Sequence, residues 1–151
     1  MHYSAPKLKG FTMIELVIVI AIIALLAGVA NFSFSQLSGG QSVDKAALSV
    51  ISLLQSAKSS ATSGKDAADF GVRILKNKVI SFENAYGTLN STYTLSSLLA
   101  ISTSSGIGTD IIFQNLYGNT TASGTITIYL ISNPKTSSTI QVFSTGEVQR
   151  N

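Results

Sequence analysis

The sequence is poor in the residue types on which much enzyme chemistry depends. It has no cysteine, no tryptophan, two prolines and one histidine, His2, among 151 residues. The lack of cysteine excludes disulfide bonds, thiol catalysis and thiolate metal sites. Because the single imidazole lies at the second position, no serine of a folded domain has a histidine base to activate it. The sequence therefore predicts a protein that is not an enzyme.

Charge is also scarce. Charged residues make up 11% of the chain, against about 25% in an ordinary soluble domain, and serine and threonine take their place. The net charge of +3 is small, so a nucleic-acid-binding domain is not expected. DNA binding stays open as a competing function, because Arg73, Lys76 and Lys78 fall within one predicted hairpin and Arg150 lies near the C-terminus.

Acidic residues are too few and too scattered to predict a metal site. Asp66, Asp69 and Asp110 are separated along the sequence, and Glu147 is the only acid after Gly124. Calcium prefers about six to eight oxygen ligands, usually including several carboxylates. We therefore expect no metal and no other cofactor.

The sequence does have a long apolar run near its N-terminus. Residues Leu16–Ala30 are apolar apart from one glycine, and with Phe11–Glu15 they make about 20 residues, the length that an α-helix needs to cross a ~30 Å hydrocarbon core. Lys7 and Lys9 precede the run, so the positive-inside rule places the N-terminus in the cytoplasm and the remainder across the membrane. This pattern predicts a single-pass transmembrane helix over residues 11–30, in contact with lipid.

Glu15 interrupts this predicted anchor. It is the only charge between Lys9 and Asp44, and a lone carboxylate within a membrane costs on the order of 2–3 kcal/mol, less near the interface. A secretory signal peptide cut after Ala30 fits the small residues Gly28 and Ala30, but a carboxylate near the start of its apolar region weakens insertion. A plain transmembrane anchor explains the length of the run and gives Glu15 no role.

The stretch KGFTMIELVIVIAIIALLA resembles the class III signal of type IV prepilins and type II secretion pseudopilins. That family has a short basic leader ending in glycine, an aromatic residue, Thr-x-Ile-Glu-Leu and an unbroken apolar run. The resemblance implies that prepilin peptidase cuts between Gly10 and Phe11, that the new Phe11 amine is methylated, and that Glu15 acts in subunit assembly. The matching residues are Gly10, Phe11, Thr12, Ile14, Glu15 and Leu16.

The same resemblance implies partners and a location. The partners are other pilins or pseudopilins in a filament, prepilin peptidase and an inner-membrane assembly platform. The location is the bacterial inner membrane, with the head periplasmic or extracellular, and later the pilus or pseudopilus.

The position of Glu15 is compatible with an assembly role. After cleavage it is four residues from a free amino terminus, about one turn away on the same helix face, where the helix dipole also favours an anion. Two groups could pair with the Glu15 carboxylate, the Phe11 amine of the same chain and the Phe11 amine of a neighbouring subunit. The resemblance implies the neighbour, and a carboxylate that reaches the interface without a partner is the structural alternative.

Beyond the apolar run, the hydrophobic period is first helical and then alternating. Ser42 is predicted to cap a helical segment that ends at Gly64, and from Asp69 the period of two predicts antiparallel strands joined by short turns. Leu98–Gly108 is predicted to be a loop. The apolar stripe of the helix is Val43, Ala47, Val50, Leu54, Ala57 and Ala61, and the strands fall around Phe70–Ile74, Ile80–Phe82, Tyr93–Leu95, Ile111–Phe113, Thr125–Ile131, Thr139–Phe143 and Glu147-Val148.

These features predict an α+β protein with the type IV pilin-like fold, in which a long N-terminal helix packs on a C-terminal antiparallel β-sheet. The predicted organisation is a cleaved leader (1–10), a transmembrane helix (11–30), an amphipathic continuation of that helix (31–64) and a β-rich head (65–151). Gly28 and Gly39-Gly40 are the expected weak points of the long helix.

Three segments of the head resemble the H-type minor pseudopilins and the related FimT-like minor pilins. They are LLQSAKSSATSGKDAADFGVRI at the helix end, IIFQNLYGNTTASGTITIYL as a core hairpin, and TIQVFSTGEVQ as the final strand, turn and strand. The resemblance implies a minor pseudopilin of a type II secretion system, at or near the tip of a periplasmic pseudopilus. The alternative is a minor type IV pilin for pilus biogenesis or DNA uptake.

Overall fold

The computed structural model describes residues 10–64, 68–84 and 88–151, and their side chains except at 29–37 and 88–90. The chain divides into two compact units, residues 1–37 and 38–151. The predicted leader lies outside the described residues except for Gly10, and Asp66 also lies outside them.

A single helix, α1, runs over Met13–Thr62. It does not restart at Ser42, whose hydroxyl donates to the carbonyl of Ser38, four residues earlier (2.9 Å). That bond is typical of a serine within a helix and does not cap one. The prediction of a helix start at Ser42 is therefore wrong, because the apolar stripe that begins at Val43 marks where α1 becomes buried.

Gly39 and Gly40 lie within α1 and do not end it. A Cβ at Gly39 would stand 3.0 Å from Cδ2 of Leu130, so the absent side chain leaves room for Leu130 to pack against the helix. A Cβ at Gly40 would meet nothing within 4 Å. Each glycine costs about 1 kcal/mol relative to alanine in a helix, and this is too little to interrupt a helix held by packing.

The part of α1 in the second unit buries the predicted apolar stripe. All six stripe residues are buried, and Ala46 joins them. The alanines of the stripe let strands approach the helix closely, while Val50 and Leu54 fill the core. Beyond the last helical residue, Gly64 has φ +64° and donates its N–H to the carbonyl of Ala61 (3.2 Å). This left-handed glycine closes the helix as predicted.

The described residues after α1 form two four-stranded antiparallel sheets, whereas the sequence pattern predicted one. The first sheet has the order β3-β2-β1-β5 and the second β4-β6-β7-β8. The strands are β1 (Phe70–Ile74), β2 (Lys78–Glu83), β3 (Thr88–Thr94), β4 (Leu99–Thr103), β5 (Asp110–Phe113), β6 (Gly124–Leu130), β7 (Asn133–Val142) and β8 (Val148–Arg150).

Two strand predictions are corrected. Residues Leu99–Thr103 form β4 and not a loop, because Leu99 is buried and the strand pairs with β6 despite its Ser/Gly-rich surroundings. The segment IIFQNLYGNTTASGTITIYL does not form a hairpin, since β5 pairs with β1 in one sheet and β6 pairs with β4 and β7 in the other. Strand partners are selected by long-range packing, which a local pattern does not specify.

The turn between β7 and β8 agrees with the prediction. Gly146 has φ +73°, and its N–H donates to the carbonyl of Phe143 (2.8 Å). The Phe143 N–H in turn donates to the carbonyl of Glu147 (2.9 Å). Glycine is favoured here because other residues are strained at positive φ.

One hydrophobic core joins α1 to both sheets in the second unit. Along several strands, buried side chains alternate with half-buried or exposed neighbours, as expected for strands that face a core on one side. The fully buried members include Val50, Leu54, Val72, Val79, Ile111, Phe113, Ile126, Ile128, Ile140 and Val142.

Candidate functional site

A threonine side chain caps the N-terminus of α1. The Thr12 hydroxyl accepts a hydrogen bond from the Glu15 N–H (3.3 Å), and the Thr12 carbonyl accepts one from the Leu16 N–H (3.2 Å). Thr12 is thus the N-cap and Glu15 the third helical residue, which is the Thr-x-x-Glu spacing of a capping box. This cap was not predicted, although the spacing is its signal. It fixes Glu15 in the first turn, where the helix dipole favours a carboxylate.

The predicted cleavage point lies immediately before this cap. Gly10 and Phe11 precede the first helical residue, and the Phe11 side chain is 82% exposed. A Cβ at Gly10 would meet nothing within 4 Å, so packing in this chain does not explain the glycine. An exposed, non-helical peptide bond is accessible to a protease. The fold places Gly10, Phe11 and Glu15 around one helix end, while cleavage and methylation stay predictions.

Apolar side chains surround α1 beyond Glu15. Every residue from Gly10 to Gly28 is exposed, although a helix that is apolar all round is normally buried in protein or lipid. Within the described part of the chain, no helical stretch is both long and apolar enough to span a membrane. The transmembrane helix over residues 11–30 stays a prediction. The large exposed apolar residues are Phe11, Met13, Ile14, Leu16, Val17, Ile18, Val19, Ile20, Ile22, Ile23, Leu25 and Leu26.

Two of the cations that suggested DNA binding are paired with acids. Arg73 donates from Nε to Oδ1 of Asp110 (2.7 Å) and from Nη2 to Oδ2 (3.1 Å). The two residues are opposite each other in the β1–β5 register. Arg150 donates to Asp44 and to the Ser138 hydroxyl (3.0 Å). A guanidinium held by a carboxylate is less available to a phosphate, so these two arginines do not support a basic patch.

The aspartates are also committed to separate contacts. Asp69 accepts the Asn115 N–H at Oδ1 (2.9 Å), whereas Asp110 pairs with Arg73. No group of three or more histidine, aspartate or glutamate residues suited to a metal ion occurs in the described ranges. Asp66, the third of the aspartates considered, lies outside those ranges.

The Arg73–Asp110 pair gives a testable prediction. Arg73→Ala is expected to lower the free energy of unfolding by about 1–2 kcal/mol, because the half-buried carboxylate of Asp110 loses a bidentate partner. Urea denaturation of Arg73→Ala, Asp110→Asn and the double variant should give a coupling energy of about 1 kcal/mol. Lys76→Ala, a control at an exposed position, should change stability by less than about 0.5 kcal/mol. A coupling energy near zero would show that the pair does not stabilise the fold.

Known proteins share both the N-terminal motif of this chain and the fold of its two-sheet unit. Residues 6–31 match the family model described as the prokaryotic N-terminal methylation motif. The structure of the type IV minor pilin FimU from Pseudomonas aeruginosa matches with a TM-score of 0.59 at 14% identity, over 72% of this chain and 91% of FimU. The chain has the type IV pilin-like fold.

A second solved structure matches this chain equally well. The minor pseudopilin EpsH of the type 2 secretion system of Vibrio cholerae gives a TM-score of 0.59 at 16% identity, over 72% of this chain and 95% of EpsH. No curated protein matches the chain in sequence. The fold predicted from the sequence, a helix with antiparallel β-structure of the pilin kind, is thus confirmed, and the comparisons favour neither a pilin nor a pseudopilin.

Proposed function

We propose that the chain is a structural subunit of a type II secretion pseudopilus, a minor pseudopilin located at or near the tip. It is made as a prepilin and anchored in the bacterial inner membrane by residues 11–30, with the N-terminus in the cytoplasm and the head in the periplasm. Prepilin peptidase cleaves it between Gly10 and Phe11, the Phe11 amine is methylated, and the assembly platform transfers it into the filament.

One observation supports the processing and assembly steps of this proposal. Glu15 lies in the first turn of a helix whose cap directly follows the Gly10–Phe11 peptide bond, and the apolar side chains beyond it are exposed. Cleavage creates a positive amine about one turn from the carboxylate, so the two groups that a membrane penalises can pair. The exposed apolar residues can be covered first by lipid and then by the equivalent helices of neighbouring subunits.

A minor type IV pilin is the second candidate function. The equal TM-scores with FimU and EpsH support it as well as the first. Deleting the gene should abolish secretion of folded exoproteins if the chain serves a pseudopilus, and surface pili if it serves a pilus. DNA uptake is the less favoured form of this alternative, because Arg73 and Arg150 are both ion-paired. Binding of DNA that falls steeply with salt would revive it.

We assign the subunit no enzymatic activity and no cofactor. Its only imidazole is His2 and it has no cysteine, so the activated nucleophiles that serine, cysteine and histidine enzymes use are not available to the head.

Mass spectrometry of the N-terminus of the membrane-bound protein tests the processing step. The expected mature chain starts at Phe11 and carries one added methyl group, because the peptide bond before Phe11 is exposed and outside the helix. Gly10→Val is expected to block cleavage, since a β-branched side chain hinders close approach of the protease to the backbone. A mature chain starting at Asn31 would instead identify an ordinary secretory signal peptide.

A further inference from the structure

A groove lies between α1 and strand β3 in the second unit. It has a volume of about 700 Å³, within the range of pockets that bind ligands. Lys45, Leu48 and Leu53 line it from the helix, and Thr92 and Tyr93 line it from the strand. We call it the α1–β3 groove.

Strand β3 has hydrogen-bonding groups available on the side away from β2. It is the end strand of its sheet, and β2 is its only strand partner within the described residues. The Leu95 N–H donates to Asn77 on the β2 side (2.8 Å). Because the direction of these groups alternates along an antiparallel strand, Tyr93 also faces β2, whereas the N–H and C=O groups of Thr92 and Thr94 point outward. Such an edge is a template for another strand.

The helix wall of the groove has apolar surface left uncovered by the sheet. Leu48 is 57% exposed on α1, and Leu53 and Tyr93 are only half-buried beside it. The preceding and following stripe residues, Ala47 and Val50, are fully covered. A strand added beyond β3 would therefore cover Leu48 with one inward side chain, while its other side chains alternate toward solvent.

The unpaired charge of the groove is positive. Lys45 lies on the helix wall and has no ion pair with the described residues, where the two salt bridges are Arg73–Asp110 and Arg150–Asp44. The one acid that lines the groove, Asp44, is thus already paired. An incoming segment with a carboxylate would complement Lys45.

We propose that the α1–β3 groove binds an extended acidic segment of a different protein, which adds to β3 as a fifth strand of the first sheet. The chemistry is β-strand addition, in which main-chain hydrogen bonds to Thr92 and Thr94 supply affinity and side-chain pockets supply specificity. A carboxylate of the segment faces Lys45, and an apolar residue covers Leu48. This binding role is independent of filament assembly through Glu15.

A second copy of this chain does not fit this chemistry. Among the described edge strands, β3 and β4 carry no acid, and β8 carries Arg150. Only β5 offers a carboxylate, Asp110, and Arg73 already holds it. Pairing of two such edges would bring no free carboxylate to Lys45, so the charge favours a different chain.

Titration of the full-length chain in detergent micelles with two designed peptides tests the proposal. The probes are acetyl-SVTETVS-amide, whose valines and glutamate share one face of the strand, and the same peptide with lysine in place of glutamate, followed by NMR of the isotope-labelled protein. The glutamate peptide is expected to shift the amides of Thr92 and Thr94 and to bind about 3- to 10-fold more tightly than the lysine peptide. Lys45→Glu should remove this preference, and added salt should reduce it.

Two substitutions of Thr92, one by proline and one by valine, make the test specific to the strand edge. Thr92→Pro removes an outward N–H, which a sheet tolerates at an edge, and is expected to abolish binding while Thr92→Val retains it. Leu48→Ser should weaken binding about tenfold through lost apolar contact. The proposal is overturned if neither peptide shifts the Thr92 and Thr94 amides, if Thr92→Pro binds normally, or if the peptides compete with self-association of the chain at this edge.

Discussion

Glu15→Gln is expected to leave cleavage and membrane insertion intact while reducing entry into filaments on the order of 30- to 150-fold. Glutamine is accepted at the third helical position of a capping box, so the helix start seen at Thr12 and Glu15 is preserved. What is lost is the charge that pairs with the Phe11 amine in a low-dielectric environment. Leaving that amine unpaired costs roughly 2–3 kcal/mol, which converts to this loss of incorporation. Quantitative mass spectrometry of sheared filaments and of the membrane fraction measures it.

Thr12→Ala is the matched control for Glu15→Gln. It removes the hydroxyl that caps α1, at a cost of about 1 kcal/mol in helix stability, and keeps the carboxylate. Filament entry near the wild-type level is expected, because the charge pair is unaffected. If Thr12→Ala fails to assemble as severely as Glu15→Gln, the helix cap and not the charge is what assembly requires. Normal assembly of Glu15→Gln would remove Glu15 from the assembly site altogether.

Gly146→Ala is expected to lower the free energy of unfolding by about 3–5 kcal/mol. A Cβ at this position would stand 2.0 Å from the backbone oxygen of Gly118, and the residue has φ +73°. Both obstacles involve the backbone, so no side-chain rotation relieves them, and the hairpin of β7 and β8 must shift. Urea denaturation of the full-length chain in micelles, monitored on the β-rich unit, measures the loss.

Gly40→Ala is the control for the glycine substitution. Gly40 lies within α1 and a Cβ there would meet nothing within 4 Å. Alanine is therefore expected to raise the free energy of unfolding by about 0.5–1 kcal/mol, through higher helix propensity. Similar stability changes for the two glycine variants would contradict the close approach of the Gly118 carbonyl to Gly146.

The candidate site at the N-terminus was largely predictable from the sequence because its information is local. Gly10, Phe11, Thr12 and Glu15 lie within one short segment, and their spacing alone places the carboxylate one turn from the expected amine. The missed element was the cap at Thr12, whose Thr-x-x-Glu signal is equally local. The roles of Gly10, Phe11 and Glu15 in cleavage, methylation and assembly stay predictions that the experiments above test.

The head was predictable only in part. The helical stripe from Val43 to Ala61 and the turn at Gly146 are set by local periodicity and local backbone preference, and both predictions are confirmed. The strand β4 was missed because Leu99 and Ile101 form too short an alternation among serines and glycines. Its burial depends on β6, which lies more than twenty residues further along the chain.

By itself, the sequence determined that the chain has a motif-bearing N-terminus with a single carboxylate, a helix with one apolar face and a β-rich remainder without the residues of common catalytic sites. The tertiary structure alone decided that the described strands divide into two sheets, that Arg73 and Arg150 pair with Asp110 and Asp44, and that β3 is the end strand of its sheet among the described strands, beside Leu48. The reason is physical. Helix periodicity and capping depend on residues within a few positions of one another, whereas strand pairing and ion pairing join residues that only the folded core brings together.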